Sequence, residues 1–157
     1  MITYREEKTL PYAPEQMFDL VAAVERYPEF LPWCIAARVR RREDNVMWAD
    51  MVIGFKVFRE SFTSRVELHR PDAIDVSYAN GPFKRLINHW RFLPEGAGGC
   101  RIQFHVEFEF RSRVLQAAIG ALFHEATRRM IAAFEGRAAR LYGKAGPAEL
   151  AGEPRPR

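Results

Sequence analysis

Residues 100–142 read CRIQFHVEFEFRSRVLQAAIGALFHEATRRMIAAFEGRAARLY, and the hydrophobic period changes once within them. From Cys100 to Phe110 every second residue is apolar. Ile102, Phe104, Val106, Phe108 and Phe110 alternate with Arg101, Gln103, His105, Glu107 and Glu109. A period of two places the rings on one face of a strand and the charges on the other. From Ser112 the apolar spacing becomes threes and fours, through Val114, Leu115, Ala118, Ile119, Leu122, Phe123, Ala126, Met130, Ala133, Phe134 and Leu141. That spacing predicts one long amphipathic helix, stopped by the glycine of Tyr142-Gly143. An aromatic-faced antiparallel strand running into such a helix predicts a sheet that holds a helix. Any space left between the two would be apolar.

Upstream, Ile2–Leu10 alternates as an edge strand, and Pro14 opens a helix whose apolar face is Met17, Phe18, Leu20, Val21 and Val24. Tyr27–Cys34, with prolines at 28 and 32, reads as a short helical turn or rigid loop carrying bulky apolar residues. Strands follow at Ile35–Arg42 and Val46–Gly54 around the turn Glu43-Asp44-Asn45, then at Val57–Leu68, Ala73–Ala79 and Leu86–Leu93. Asn80-Gly81-Pro82 and Gly96–Gly99 are turns. The expected fold is α+β, an antiparallel meander with the helices on one face. Residues 1–143 form its single domain, and the Pro/Gly-rich stretch 144–157 is expected to be a disordered tail.

Composition narrows the class. At 157 residues the chain can bury roughly 70% of its unfolded surface, enough for a true core. No apolar run approaches the roughly 20 residues of a membrane span, and the N-terminus lacks the apolar segment of a signal peptide. These features predict a cytoplasmic protein or one that visits a membrane surface. Cys34 and Cys100 have neither a CxxC nor a zinc spacing and read as small apolar residues of a reducing compartment. The net charge of +4 is concentrated in Arg38, Arg40, Arg41 and Arg42, a cluster suited either to RNA or anionic headgroups or to a solvated strand end. The basic residues do not form a stripe over several elements, and DNA is not implied.

Catalytic signals are missing. His69, His89, His105 and His124 form no metal-binding pair, no serine sits in a nucleophile elbow, and no phosphate-binding glycine motif occurs. No catalytic residue and no metal ligand is assigned. The inward-facing residues are instead candidate ligand contacts. They are Phe58, Phe62, Asn88, Trp90, Phe92, Phe104 and Phe108 from the strands, with Ile119, Phe123, Met130 and Phe134 from the helix. The same rings also suit an ordinary packed core. Asn88, the polar residue of its inner face, suits either a hydrogen-bonded core amide or a contact to a ligand headgroup.

The order of elements resembles the START-like helix-grip superfamily. Tyr27-Pro-Glu-Phe-Leu-Pro-Trp-Cys34, Phe58-x-Glu60-x-Phe62-x-Ser64, Gly81-Pro-Phe83 and Asn88-x-Trp90-x-Phe92 resemble its coenzyme Q-binding branch. Cys100 with Phe104 and Phe108–Phe110, and Met130, Phe134 and Tyr142, extend the likeness over residues 2–143. Ribosome-association toxins share most of these motifs, and the wider superfamily includes polyketide cyclases. The resemblance implies a curved sheet wrapped around a C-terminal helix. It also implies non-catalytic binding of ubiquinone or a related polyprenyl lipid, in a carrier supporting respiration and quinone synthesis. Such a carrier would touch the cytoplasmic face of the inner membrane transiently. Leu31, Trp33 and Phe83 would then form a cavity mouth dipping into the bilayer, with Lys84 and Arg85 near headgroups, or else pack against the first helix. The alternatives are a ribosome-binding regulator and, further off, a cyclase or hydrolase needing an acid–base pair inside the cavity.

Overall fold

Asp44, held at φ +51°, and Gly81, at φ +143°, turn the chain where the strand pattern breaks. The result is a run of consecutive hairpins. The computed structural model describes residues 1–55 and 58–143, and of residues 55, 58 and 79 only the backbone. Its elements are β1 (Ile2–Leu10), α1 (Pro14–Ala22), a 3-10 turn (Val24–Glu29), β2 (Cys34–Glu43), β3 (Val46–Phe55) and β4 (Phe58–His69). They continue with β5 (Ala73–Asn80), β6 (Phe83–Glu95), β7 (Gly99–Phe110), α2 (Arg113–Gly120) and α3 (Phe123–Tyr142). One seven-stranded sheet runs β1-β7-β6-β5-β4-β3-β2, antiparallel throughout. It curves over the helices as in the START helix-grip fold. The expected start of β4 at Val57 and the tail 144–157 lie outside the described residues.

Alternation fixes which face is covered. Every even residue of β7 from Cys100 to Phe110 is buried, as are Trp90 and Phe92 of β6 and Val66 of β4. At one end this face is packed solid by α1, the 3-10 turn and the middle of α3. Trp90 lies 4.6 Å from Phe104 and 5.3 Å from Phe134, measured between ring centroids, and Phe18 lies 5.9 Å from Phe92. Tyr27 and Phe30 close over Phe134 at 5.4 and 5.2 Å. The end of α3 is tied down where Tyr142 donates to the Gln16 carbonyl (3.0 Å) and Tyr12 to that of Gly143 (2.8 Å). Arg137, only 14% exposed, pairs with Glu29 at 2.7 Å.

The long C-terminal helix expected from the spacing is two helices. Leu122 donates to the Ile119 carbonyl (2.9 Å), an i→i−3 bond that tightens the chain at Ala121-Leu122 and redirects it. Gly120 ends α2 against Ile2, where an added Cβ would lie 3.3 Å from the Ile2 Cδ1. Ser112 caps α2 by accepting from the Leu115 amide at 3.1 Å. The change of direction turns Leu115 and Ile119 inward. Val114, expected on the apolar face, is left 78% exposed, and Leu141 in the last turn is also exposed. Two other expectations are corrected. Phe83 belongs to β6, which begins three residues earlier than its alternation suggests, and Leu31 is buried beneath the loop that follows the 3-10 turn.

The outer face carries the charges. Asp75 accepts from His89 Nδ1 (2.6 Å) and Arg91 Nη1 (2.8 Å), and Asp50 from Thr63 (2.7 Å), Arg40 and Arg38. Burial alone would raise both carboxyls, but these donors outweigh it and hold each below the ordinary aspartate value. A carboxyl lowered in the folded state stabilises above its unfolded pKa, and that contribution disappears as pH falls through the folded value. Thermal stability should therefore drop steeply below about pH 4. Asp75→Asn should flatten that acid limb in a melting series from pH 7 to pH 2; an unchanged limb would remove Asp75 from the account.

Candidate functional site

Where α2 turns into α3 the sheet and helices part, leaving a cavity of about 200 Å³. Its floor is Phe83 and Leu86 of β6 with Val106, Phe108 and Phe110 of β7. Ile53 of β3 and Phe62 of β4 form one side; Ile119, Leu122, Phe123 and Ala126 form the roof. Trp33 closes the remaining side and also lines a small annex of about 50 Å³ shared with Gly54, Glu60 and Leu115. An outer groove of about 540 Å³ begins at the same Trp33, Leu122 and Ala126 and is bounded by Pro32, Gly54, Ala121, Glu125 and Arg129. Cavity and groove thus share a wall, and the charged rim of the groove carries the ion pair Glu125–Arg129 at 2.8 Å.

Aromatic edges set the cavity's shape. Phe83 stacks on Phe110 (4.7 Å) and meets Phe62 edge-on (5.3 Å), while Phe108 lies 4.6 Å from Phe123. Tyr4 of β1 braces Phe123 from outside at 6.2 Å, with its hydroxyl on Glu6. Burial, then the Glu6 carboxylate, push the Tyr4 hydroxyl up to about 12, and it stays a donor at neutral pH.

The sequence-predicted contacts divide into two groups. Phe62, Phe108, Ile119 and Phe123 surround the cavity. Trp90, Phe92, Phe104 and Phe134 do not; they form the packed end, where the space between Trp90, Phe104 and Phe134 is about 10 Å³. That is room for a single water at most. Met130 is half-buried against this core and outside the cavity wall. The side chain of Phe58 lies outside the described residues. Of the three expected mouth residues Trp33 stands at the opening, whereas Leu31 (5% exposed) and Phe83 (4%) are buried and cannot reach a bilayer. Phe83 is held inside because Phe62, Tyr78, Phe108 and Phe110 surround its ring.

Polar groups near the inner face are few. Asn88 Oδ1 and Tyr78 Oη are buried without a hydrogen bond among the described residues, and neither side chain lines the cavity. Alternation along Ala73–Ala79 places Tyr78 on the same inner face as Ile74 and Val76, and nothing in that pattern marks its hydroxyl as unpartnered. Glu60 lies on the inner side of β4 for the same reason of alternation, at the annex. Burial pushes the Cys34 and Cys100 thiols up to about 11, and both stay protonated. On the opposite, outer face Glu67, His69 and Asp75 bring three donor atoms within 4.8 Å of one another. Arg65 and Arg91 already neutralise the two carboxylates. His89 and His105 stand on the same outer face, as alternation places them, with rings 6.0 Å apart.

Comparison with known proteins agrees with this architecture. The ribosome association toxin RatA of Rickettsia prowazekii (strain Madrid E) is 38% identical over 142 residues, covering 88% of this chain and 97% of that protein. The mitochondrial coenzyme Q-binding protein COQ10 homolog B of Xenopus laevis is 33% identical over 150 residues, covering 91% of this chain and 60% of that protein. A START superfamily protein from Mycobacterium smegmatis shares the fold at TM-score 0.76 and 16% identity, over 88% of this chain and 98% of its own. Among the described residues no helix is long and apolar enough to cross a membrane. The family model for polyketide cyclase/dehydrase and lipid transport matches residues 10–135, and with the sheet, the split helix and the apolar cavity between them it makes this chain a member of that family.

Proposed function

We propose that the chain is a non-catalytic binder of ubiquinone or a related polyprenyl lipid, acting as a quinone carrier or chaperone for respiratory electron transport and quinone synthesis. The observation that carries the reading is the cavity of about 200 Å³ between Phe62, Phe108 and Phe123, whose wall holds no acid–base pair among the described residues. A cyclase or hydrolase needs such a pair within hydrogen-bond reach of its substrate. A prenyl chain needs only apolar surface, since each methylene buried contributes about 0.8 kcal/mol. No catalytic cofactor enters this reading; ubiquinone is the bound ligand. The relative named for coenzyme Q binding supports the ligand class. Delivery calls for transient contact with the cytoplasmic face of the inner membrane. Half-buried Trp33 at the opening, with Arg129 on its rim, suits that contact better than the buried Leu31 and Phe83.

Organic extraction of natively purified protein, followed by mass spectrometry, tests the reading. Near-stoichiometric ubiquinone is expected from a quinone-producing host, and Ala126→Phe, which fills the cavity roof, should reduce the bound lipid by at least about tenfold while the circular dichroism spectrum is retained. An empty protein that also fails to bind added short-chain ubiquinone would reject it.

A second reading, a regulator that associates with the ribosome, is favoured by the 38% identity to a ribosome association toxin and by exposed Arg38, Arg40 and Arg41 on β2. It predicts sedimentation with a ribosomal subunit that weakens with salt.

A further inference from the structure

The cavity and the groove outside it differ in chemistry, and the difference decides which part of a ligand each can take. Among the described side chains around the inner cavity, Trp33 alone carries a hydrogen-bonding group, its indole N–H, and the annex adds the Glu60 carboxylate. The backbone groups of β6 and β7 beneath it are used in the sheet ladder. A ligand oxygen placed there would lose its water and gain no partner, which is unfavourable, whereas hydrocarbon gains by the same move. The groove is the reverse. Arg129 and Glu125 stand at its rim.

Size sharpens the argument. A cavity of roughly 150 Å³ holds a benzene-sized molecule. On that scale the inner cavity of about 200 Å³ and its annex of about 50 Å³ hold roughly ten carbons, two isoprene units. We infer that the site recognises hydrocarbon rather than a ring. The ligand enters chain end first, about two isoprene units fill the space between Phe62, Phe108 and Phe123, and the polar group stays outside at the groove. The substrate class is then prenyl chains whatever head they carry, alcohol or quinone. This rests on the reading of the cavity as a prenyl-lipid site.

The opposite orientation would need polar partners within. Glu60 in the annex offers carboxylate oxygens, which accept and give a quinone carbonyl no donor. Asn88 and Tyr78 are the other polar side chains of the inner face, Asn88 pairing with Val106 in the ladder and Tyr78 packing on Phe83. Neither Asn88 nor Tyr78 lines the cavity.

Isothermal titration with three probes separates the possibilities: geraniol, a ubiquinone bearing two isoprene units, and the chainless ring 2,3-dimethoxy-5-methyl-1,4-benzoquinone. Geraniol and the two-unit quinone are expected to bind within about threefold of each other, and the chainless ring at least about thirtyfold more weakly. Asn88→Ala should leave the affinity of the two-unit quinone unchanged. If the chainless ring binds as well as the two-unit quinone and geraniol does not bind, or if Asn88→Ala removes quinone binding from a folded protein, the orientation is overturned while the carrier reading stands. Failure of all three probes would overturn the carrier reading itself, and the inference with it.

Discussion

Phe92→Ala is expected to destabilise the protein by about 3–5 kcal/mol, and Phe108→Ala by no more than about half of that. Both residues are phenylalanines on the inner face of neighbouring strands, and both are nearly inaccessible, at 0% and 4%. Their surroundings differ. Phe92 is enclosed by Phe18 and Trp90 in the packed end, and removing its ring leaves a void that the rigid neighbours cannot close. Phe108 already borders the cavity of about 200 Å³, and its far side has fewer partners to lose. With a total stability of about 5–15 kcal/mol, Phe92→Ala should lower the melting temperature by roughly 10–15 °C. Calorimetry on the two variants decides the matter. Equal losses would mean that the cavity wall is as tightly packed as the core, and the division of the inner face into two ends would fail.

Gly81→Ala should be nearly as damaging, although it adds a single methyl. Gly81 turns the chain between β5 and β6 at φ +143°, a conformation that L side chains rarely adopt. A Cβ there would lie 2.6 Å from the Phe62 Cβ, 3.0 Å from the Phe62 Cα and 3.1 Å from the Ser61 carbonyl oxygen. None of these atoms can swing aside, because all belong to the root of a strand residue. Backbone strain and overpacking each cost about 1–3 kcal/mol, so a loss of roughly 3–4 kcal/mol is expected. Relief requires β4 to retreat, which moves Phe62 within the cavity wall. Urea denaturation should show the lost stability, and binding of the two-unit quinone should fall with it. A variant as stable as the parent would show that the turn can adopt another path.

Much of the fold is legible in the sequence because one physical rule acts alone there. In β7 each even residue faces the helices and each odd one faces water, and nothing else competes with that period. The break at Ala121-Leu122 is hidden for a related reason. Ile119, Leu122, Phe123 and Ala126 keep helical spacing across it, since all four face the same cavity, and only Gly120 hints at a change of direction. The site is less legible still. Trp90, Phe92 and Phe104 continue the same inner face as Phe83, Leu86 and Phe108, and residue type does not tell which group is met by α1 and which by the cavity. That distinction depends on where the helices part. Leu31 and Phe83 fail as mouth residues for the same cause, as a bulky residue beside a proline turn carries no mark of which way the turn folds.

The arginines of β2 have a consequence for how copies of the molecule meet. The sheet is open, and β2 ends it with one row of backbone donors and acceptors unpaired within the sheet. Such a row is a template on which another strand can add. Arg38 and Arg40 hold Asp50 while remaining 75% and 57% exposed, and Arg41 lies over the Trp48 ring at 3.9 Å. A second β2 laid antiparallel along the first would bring guanidiniums opposite guanidiniums, and like charges across a strand pair repel. The cluster thus works against self-association at that edge regardless of any anionic partner.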